Sequence, residues 1–272
     1  MSLEQIEHLL KIFGIAPNKV LGQNFLVEPS LYPKLGLYAN LSCSDVVLDA
    51  GAGFGFLTRY LATTCKAVIA VDKDPQVAAV LRDQVKNLPN VTAIEGDVLK
   101  ASLPPFNKVV ALPPYYLSSN LVMWLLRRKL DCAVLVVQKE FAQHLTATVG
   151  SEEYSWLTVV TCEHASAELL DEVRKDMFYP QPEVDSVILR LTPHQIKPFS
   201  VKDKACFVRL TKSLFTERNK KLAKALSPFI RSNFKLSKQE AEKIAHTLPA
   251  REKRVRELSP KDFGAIANAL SN

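Results

Sequence analysis

Between residues 45 and 138, short apolar runs rich in valine and isoleucine recur at regular intervals. They read "DVVLDA" (45–50), "AVIAVD" (67–72), "VTAIEGD" (91–97), "KVVALP" (108–113) and "CAVLVVQ" (132–138). Each is strand length and almost continuously apolar, the pattern of a strand buried on both faces. Between them, "FLTRYLATT", "PQVAAVLRDQVKNL" and "SSNLVMWLLRRKL" space their apolar residues at helical intervals. Strand and helix in alternation predict an α/β, Rossmann-like fold with a mostly parallel sheet and helices on both faces. Two later runs, "LTVVTCEHA" (157–165) and "VDSVILRLT" (184–192), predict further strands at the sheet edge. Past "TPHQIKPFS" the rhythm becomes helical, and "ACFVRLTKSLFTERNKKLAKALSPFI" is amphipathic and basic. This predicts a boundary at a proline-containing linker near 193–200, with an α/β domain over 1–196 and a small all-helical domain over 197–272.

Charge sharpens that division. Residues 1–196 hold 17 Lys and Arg against 21 Asp and Glu, a net of −4. Residues 197–272 hold 18 against 7, a net of +11. A basic quarter on a mildly acidic body points to a polyanionic partner, nucleic acid first among them. The plainer alternative is a solvated basic helix surface.

Other totals exclude whole classes. The five cysteines (Cys43, Cys65, Cys132, Cys162, Cys206) are odd in number and far apart, and the five histidines are scattered. Neither a disulfide frame nor a metal site is expected. No apolar run approaches a membrane span. The amino-terminal "MSLEQIEHLLKIFGIAP" reads as an amphipathic helix, acidic where a signal peptide would be basic, so a cytoplasmic protein is expected. No feature demands oligomerisation, and a monomer is expected.

The chemistry sits at the strand ends. In "VVLDAGAGFGFLT", Gly51, Gly53 and Gly55 lie between a strand and a helix, where a ligand must approach the backbone closely. The spacing is G-x-G-x-G, without the pyrophosphate turn of dinucleotide sites. Asp72 ends the next strand, placed to hold a pair of ribose hydroxyls. Asp97 and Val98 follow the third strand, where a carboxylate and a backbone N–H suit an adenine ring. Three strand ends in register fit S-adenosylmethionine better than a nicotinamide cofactor.

These segments, taken with "KVLGQNFLVEP" (19–29), "LPPYYLSS", "QKEFAQHL", "MFYPQPEVDS" and "LFTERNKKLAKAL", come in the order seen in the KsgA family of small-subunit rRNA adenine dimethyltransferases. The resemblance covers about Pro17 to Leu258, and "LGQNFL" and "FYPxPxVxS" are its most specific elements. The helical carboxyl-terminal part looks more like KsgA than its Erm relatives, and the texture is closer to archaeal members. The resemblance implies a class I S-adenosylmethionine-dependent methyltransferase domain. Such an enzyme methylates N6 of two neighbouring adenines near the 3′ end of small-subunit rRNA. Its partner would be that rRNA or an immature small ribosomal subunit. Gln23, Asn24 and Leu26 would lie along the cofactor beside Gly51, Gly53, Gly55, Asp72, Asp97 and Val98. The family usually has Glu where this chain has Asp49 and Asp72. Arg209, Lys212, Arg218, Lys220, Lys221 and Lys224 would grip RNA phosphates.

The family's Asn-Leu-Pro-Tyr motif falls on Leu112-Pro113-Pro114-Tyr115. The adenine amine shares its lone pair with the ring and is a poor nucleophile. In this class an asparagine oxygen and a backbone carbonyl accept its two N–H bonds and turn the lone pair toward the methyl group. The flipped base stacks on aromatic rings, here matching Tyr115 and Phe178. Leucine offers no side-chain acceptor, although Leu112, Pro114, Tyr115 and Phe178 occupy the catalytic positions and Leu112 also borders the cofactor. An alternative function follows: a weakened or inactive member that acts as an rRNA-binding assembly factor. His144, where members tend to have Arg, and "YSWL" (154–157) are softer departures.

Overall fold

A computed structural model describes residues 3–18 and 20–271. Lys19, the first residue of the "KVLGQNFLVEP" element, lies outside the described residues. By contacts the chain divides into two compact units, residues 1–142 with 168–193, and residues 143–167 with 194–272.

The first unit opens with α1 (Leu3–Phe13), the expected amphipathic helix, which buries Ile6 and Leu10. The two-residue strand β1 (Phe25–Leu26) and α2 (Leu31–Tyr38) follow. Then come β2 (Val46–Ala50), α3 (Phe56–Thr64), β3 (Ala67–Asp72), α4 (Pro75–Val85), β4 (Val91–Glu95), β5 (Lys108–Ala111), α5 (Ser118–Leu125), β6 (Cys132–Gln138) and α6 (Lys139–Thr146). After α7 (Trp156–His164) the chain forms β7 (Ala165–Val173), β8 (Phe178–Tyr179) and β9 (Ser186–Pro193). The seven-stranded sheet runs in the order β4-β3-β2-β5-β6-β9-β7. The strands from β4 to β6 are mutually parallel, and β9 runs antiparallel to β6. The five central expectations match because Val47, Leu48, Val68, Ile69, Val109, Val110 and Val134 through Val137 are almost wholly buried. Strand order reverses between β2 and β5, so a crevice opens at their carboxyl ends.

The edge differs from expectation. Residues 157–164 form helix rather than strand, and only Ala165 of that run enters a strand: α7 buries Leu157, Val159, Val160, Thr161 and Glu163. Burial on most sides overrides the β preference of its valines and threonines. The strand lies just after it, in β7, whose polar residues carry little strand signal. Run 184–192 does form β9.

The second unit contains the last residues of α6, then α7, α8 (Lys204–Phe215), α9 (Leu222–Phe234), α10 (Lys238–Thr247) and α11 (Pro260–Ala269). The basic stretch 205–230 runs through α8 and into α9. Phe207, Leu210, Leu214, Leu226, Ile230, Phe263 and Ile266 form its core. Tyr154 is buried among them, and its hydroxyl donates to the Leu258 carbonyl at 2.7 Å. The expected cut at 196/197 lies close to the 193/194 division, but 143–167 belongs with the carboxyl-terminal helices because α7 packs on α8 and α11.

Candidate active site

β2 ends at Ala50, and the chain turns through Gly51 to Gly55 into α3. Gly51, Gly53 and Gly55 have φ of +79°, +57° and +81°, a region that side chains disfavour. Gly51 carries a second constraint: a Cβ there would sit 2.8 Å from Pro114 Cδ. The glycine turn and the turn after β5 are therefore in direct contact. The N–H groups of Gly51 and Ala52 both donate to the Val71 carbonyl, at 2.8 and 3.0 Å, which pins the turn to the end of β3. Asp72 accepts from the N–H of Gly53 at 2.8 Å and of Asp74 at 3.0 Å, and burial raises its carboxyl above the usual range.

The strap before β1 closes one side. Gln23 donates from Nε2 to Asp74 at 2.7 Å, and its Oε1 accepts from the Asn18 N–H at 2.8 Å. Asn24 donates to the Gly22 carbonyl. Leu26 on β1 pairs with Phe178 on β8, which fixes both beside the turn.

On the other side, β5 ends at Ala111 and passes into Leu112-Pro113-Pro114, with no side-chain N–H or hydroxyl until Tyr115. The Tyr115 hydroxyl shares a hydrogen bond with Ser186 Oγ at 2.7 Å. Phe178 is buried, 6% exposed. Leu112 is half-buried and packs against the core cluster that contains Leu26, Val110, Val136 and Phe178.

These elements enclose a trench in two adjoining parts. One, of about 80 Å³, is lined by residues including Gln23, Asn24, Leu26, Asp49, Gly51, Gly53, Asp72, Leu112, Pro114, Tyr115 and Phe178. The other, of about 70 Å³, is lined by residues including Gln23, Gly51, Asp72, Asp97, Val98, Pro114 and Tyr116. Four residues line both: Gln23, Gly51, Asp72 and Pro114. Gly55 lines neither. A Cβ there would meet Leu81 Cδ1 at 2.6 Å, so its smallness serves the packing of α3 on α4.

Three lining groups carry chemistry that the site residues named from the sequence did not include. Asp49 is 1% exposed, accepts from Thr58 Oγ1 at 2.7 Å, and burial pushes its carboxyl up to about 7. Its place in the glycine motif was the available signal. Tyr116, 52% exposed, walls the second part of the trench, directly after Tyr115. Phe25 and Phe54 stack with centroids 4.4 Å apart and line the first part; nothing in their spacing marks them.

In the second unit the six basic candidates separate into kinds. Arg218 donates to the carbonyls of Glu152 and Ser151, both at 2.8 Å, and so braces the turn before α7. Lys212 lies over the Trp156 ring at 4.1 Å. Lys220 pairs with Glu217 and Lys221 with Glu252. Arg209 donates to Asn233 at 3.3 Å. Lys224 is exposed on the first turn of α9. His144 meets the Glu153 carbonyl through Nδ1 at 2.7 Å, a bond internal to this unit.

A trench at the sheet's switch point, with backbone bare of side chains at Gly51 and Gly53 and a carboxylate at the neighbouring strand end, suits an adenosine whose sulfur carries a positive charge. That arrangement defines a class I S-adenosylmethionine-dependent methyltransferase, and S-adenosylmethionine is the methyl donor. Residues 15–271 match the family "Ribosomal RNA adenine dimethylase", and the chain belongs to that family. A relative from Methanosarcina barkeri, named "Probable ribosomal RNA small subunit methyltransferase A", is 37% identical over 267 residues, 97% of this chain and 91% of the relative. One of the same name from Thermococcus kodakarensis is 36% identical, covering 95% and 91%. Among solved structures, a dimethyladenosine transferase from Plasmodium falciparum superposes with a TM-score of 0.75 at 28% identity, covering 90% of this chain and 95% of that one. The 23S rRNA methyltransferase ErmE gives 0.64 at 26% identity, covering 91% and 100%.

Proposed function

We propose that this chain transfers methyl groups to N6 of two adjacent adenines near the 3′ end of small-subunit rRNA, acting on an immature small subunit. The observation that carries the reading is the contact between Gly51 and Pro114, which sets the turn after β5 against the glycine floor. A base offered to Tyr115 then lies at the wall of the cofactor trench. When bound, S-adenosylmethionine supplies an electrophilic methyl group. Asp72 accepts from ribose hydroxyls, while Asp97 and the Val98 N–H address the adenine. Gln23, Asn24 and Leu26 cover the cofactor, and Gly51 and Gly53 let it approach the backbone. Tyr115 and Phe178 present ring surface to the target base, and Pro113 and Pro114 hold the backbone carbonyls that accept the amine N–H. With Leu112 in the asparagine position, orientation of the amine rests on those carbonyls alone. The cations of the second unit hold rRNA phosphates, Lys224 foremost.

Leu112 also favours a second reading, an rRNA-binding assembly factor that retains the cofactor site with little transfer. One experiment separates the two. Immature small subunits lacking the methyl marks are incubated with the protein and methyl-labelled cofactor. Label in the two adenines is the expected result. Tight subunit binding with no label overturns methyl transfer and leaves the assembly role.

A further inference from the structure

The first unit carries an exposed cationic triplet that the methyl-transfer reading does not use. Arg127, Arg128 and Lys129 follow the end of α5, and all three are exposed. They stand out in a segment, 1–196, whose net charge is −4. Among the described residues none of them forms an ion pair, and the nearest carboxylate in sequence, Asp131, instead accepts from Asn107 at 2.8 Å. The triplet sits beside an aromatic platform. The Arg128 guanidinium lies 3.7 Å from the centre of the Trp124 ring, and Phe106 stacks on Trp124 with centroids 6.2 Å apart.

We propose that this patch is a second RNA-contacting site. Arg127 and Lys129 meet backbone phosphates, and an unpaired base stacks on the Arg128 guanidinium, which already lies over Trp124. Guanidinium planes and aromatic rings are the usual supports for unstacked RNA bases, with neighbouring cations tracking the backbone. A cation past a helix carboxyl end is also favoured by the helix dipole, but that accounts for one charge, not for three beside stacked rings. Phe106 precedes β5, whereas Leu112 to Tyr115 follow it. The patch therefore lies at the opposite end of the sheet from the trench, about 13 Å away along the four residues of β5 at the usual strand rise. RNA engaged at both ends must pass around this unit, so a structured rRNA fits and an isolated adenine oligonucleotide does not.

The proposal rests on rRNA as the partner and not on methyl transfer, so its test measures binding without cofactor. The chain has two tryptophans, and Trp156→Phe leaves Trp124 as the only one. The probe is in vitro transcribed small-subunit rRNA. Trp124 emission is expected to quench as the rRNA binds. Adding Arg127→Ala and Lys129→Ala should lower the slope of log affinity against log salt by about 1.4–1.8 and weaken binding roughly tenfold at 0.15 M salt. Unchanged emission at saturation, with an unchanged salt slope, overturns the proposal. Quenching by polyglutamate and not by rRNA also overturns it, in favour of an acidic protein surface. Quenching with the reduced slope, in a protein that transfers no methyl group, would overturn the methyl-transfer reading and leave this site standing.

Discussion

The two walls of the trench are built on opposite principles. The cofactor wall is polar and made of strand ends: Asp49, Asp72 and Asp97, beside backbone that glycine leaves bare of side chains at 51 and 53. The target wall is apolar and made of turns: Leu112, Pro113, Pro114, Phe178 and the ring of Tyr115. In the first, binding follows from groups that hydrogen-bond. In the second, side chains supply surface, and hydrogen bonding is left to carbonyls whose direction the two prolines restrict. Gripping a methyl donor and orienting an amine are therefore separate tasks here, and each should fail or improve without the other.

Leu112→Asn tests that separation most strongly. It restores an acceptor beside the target amine, and by comparison with single oxyanion-hole groups the rate should rise roughly 100- to 1,000-fold. Cofactor affinity, read by calorimetry, should hardly move. A rate that stays flat would mean that residue 112 does not face the amine. Tyr115→Ala comes next. Loss of one stacking ring should weaken use of the rRNA substrate by about 1–3 kcal/mol in kcat/KM, again with cofactor binding intact.

The polar wall was legible in the sequence because its residues stand at strand ends, and buried parallel strands announce themselves as apolar runs. Gly51, Gly53, Asp72, Asp97 and Val98 could be placed from that alone. Gly55 was equally conspicuous but faces Leu81, since a positive φ is demanded by a turn whether or not a ligand lies over it. The aromatic pair Phe25 and Phe54 could not be read, because residues 29 apart in sequence meet only once β1 is laid beside the turn. The same limit hid α7, where local β preference pointed one way and contacts with distant helices the other. Among the cations, charge was legible but employment was not: Arg218 is spent on the backbone of residues 151 and 152.

The polar wall should also titrate. Burial pushes the Asp49 carboxyl up to about 7 and raises Asp72 in the same direction. A carboxyl whose pKa is raised on folding binds more protons folded than unfolded. Its contribution is complete below the unfolded value near 4 and is lost as pH rises through the folded one. Without cofactor, stability should therefore fall between about pH 4 and 7, by up to about 1.4 kcal/mol per pH unit for one such group. Thermal unfolding across that range should show the slope, and Asp49→Asn should flatten it. A slope that persists undiminished in the variant would assign it to other groups. Leu112→Asn should leave it untouched.

The smallest effect should come from Tyr115→Phe, and it makes the sharpest distinction within the apolar wall. The Tyr115 hydroxyl is bound to Ser186, itself fully buried, so its loss leaves Ser186 Oγ without this partner. A stability cost of about 1 kcal/mol is expected from one such bond. The ring, and with it the surface offered to a base, stays in place. If Tyr115 acts by stacking, the rate with rRNA should fall less than about fivefold, and Ser186→Ala added to Tyr115→Phe should recover part of the lost stability because neither partner is then left unpaired. A rate loss as large as that of Tyr115→Ala would mean that the hydroxyl, not the ring, does the work at this wall, and the division into a hydrogen-bonding side and a surface-supplying side would then be wrong.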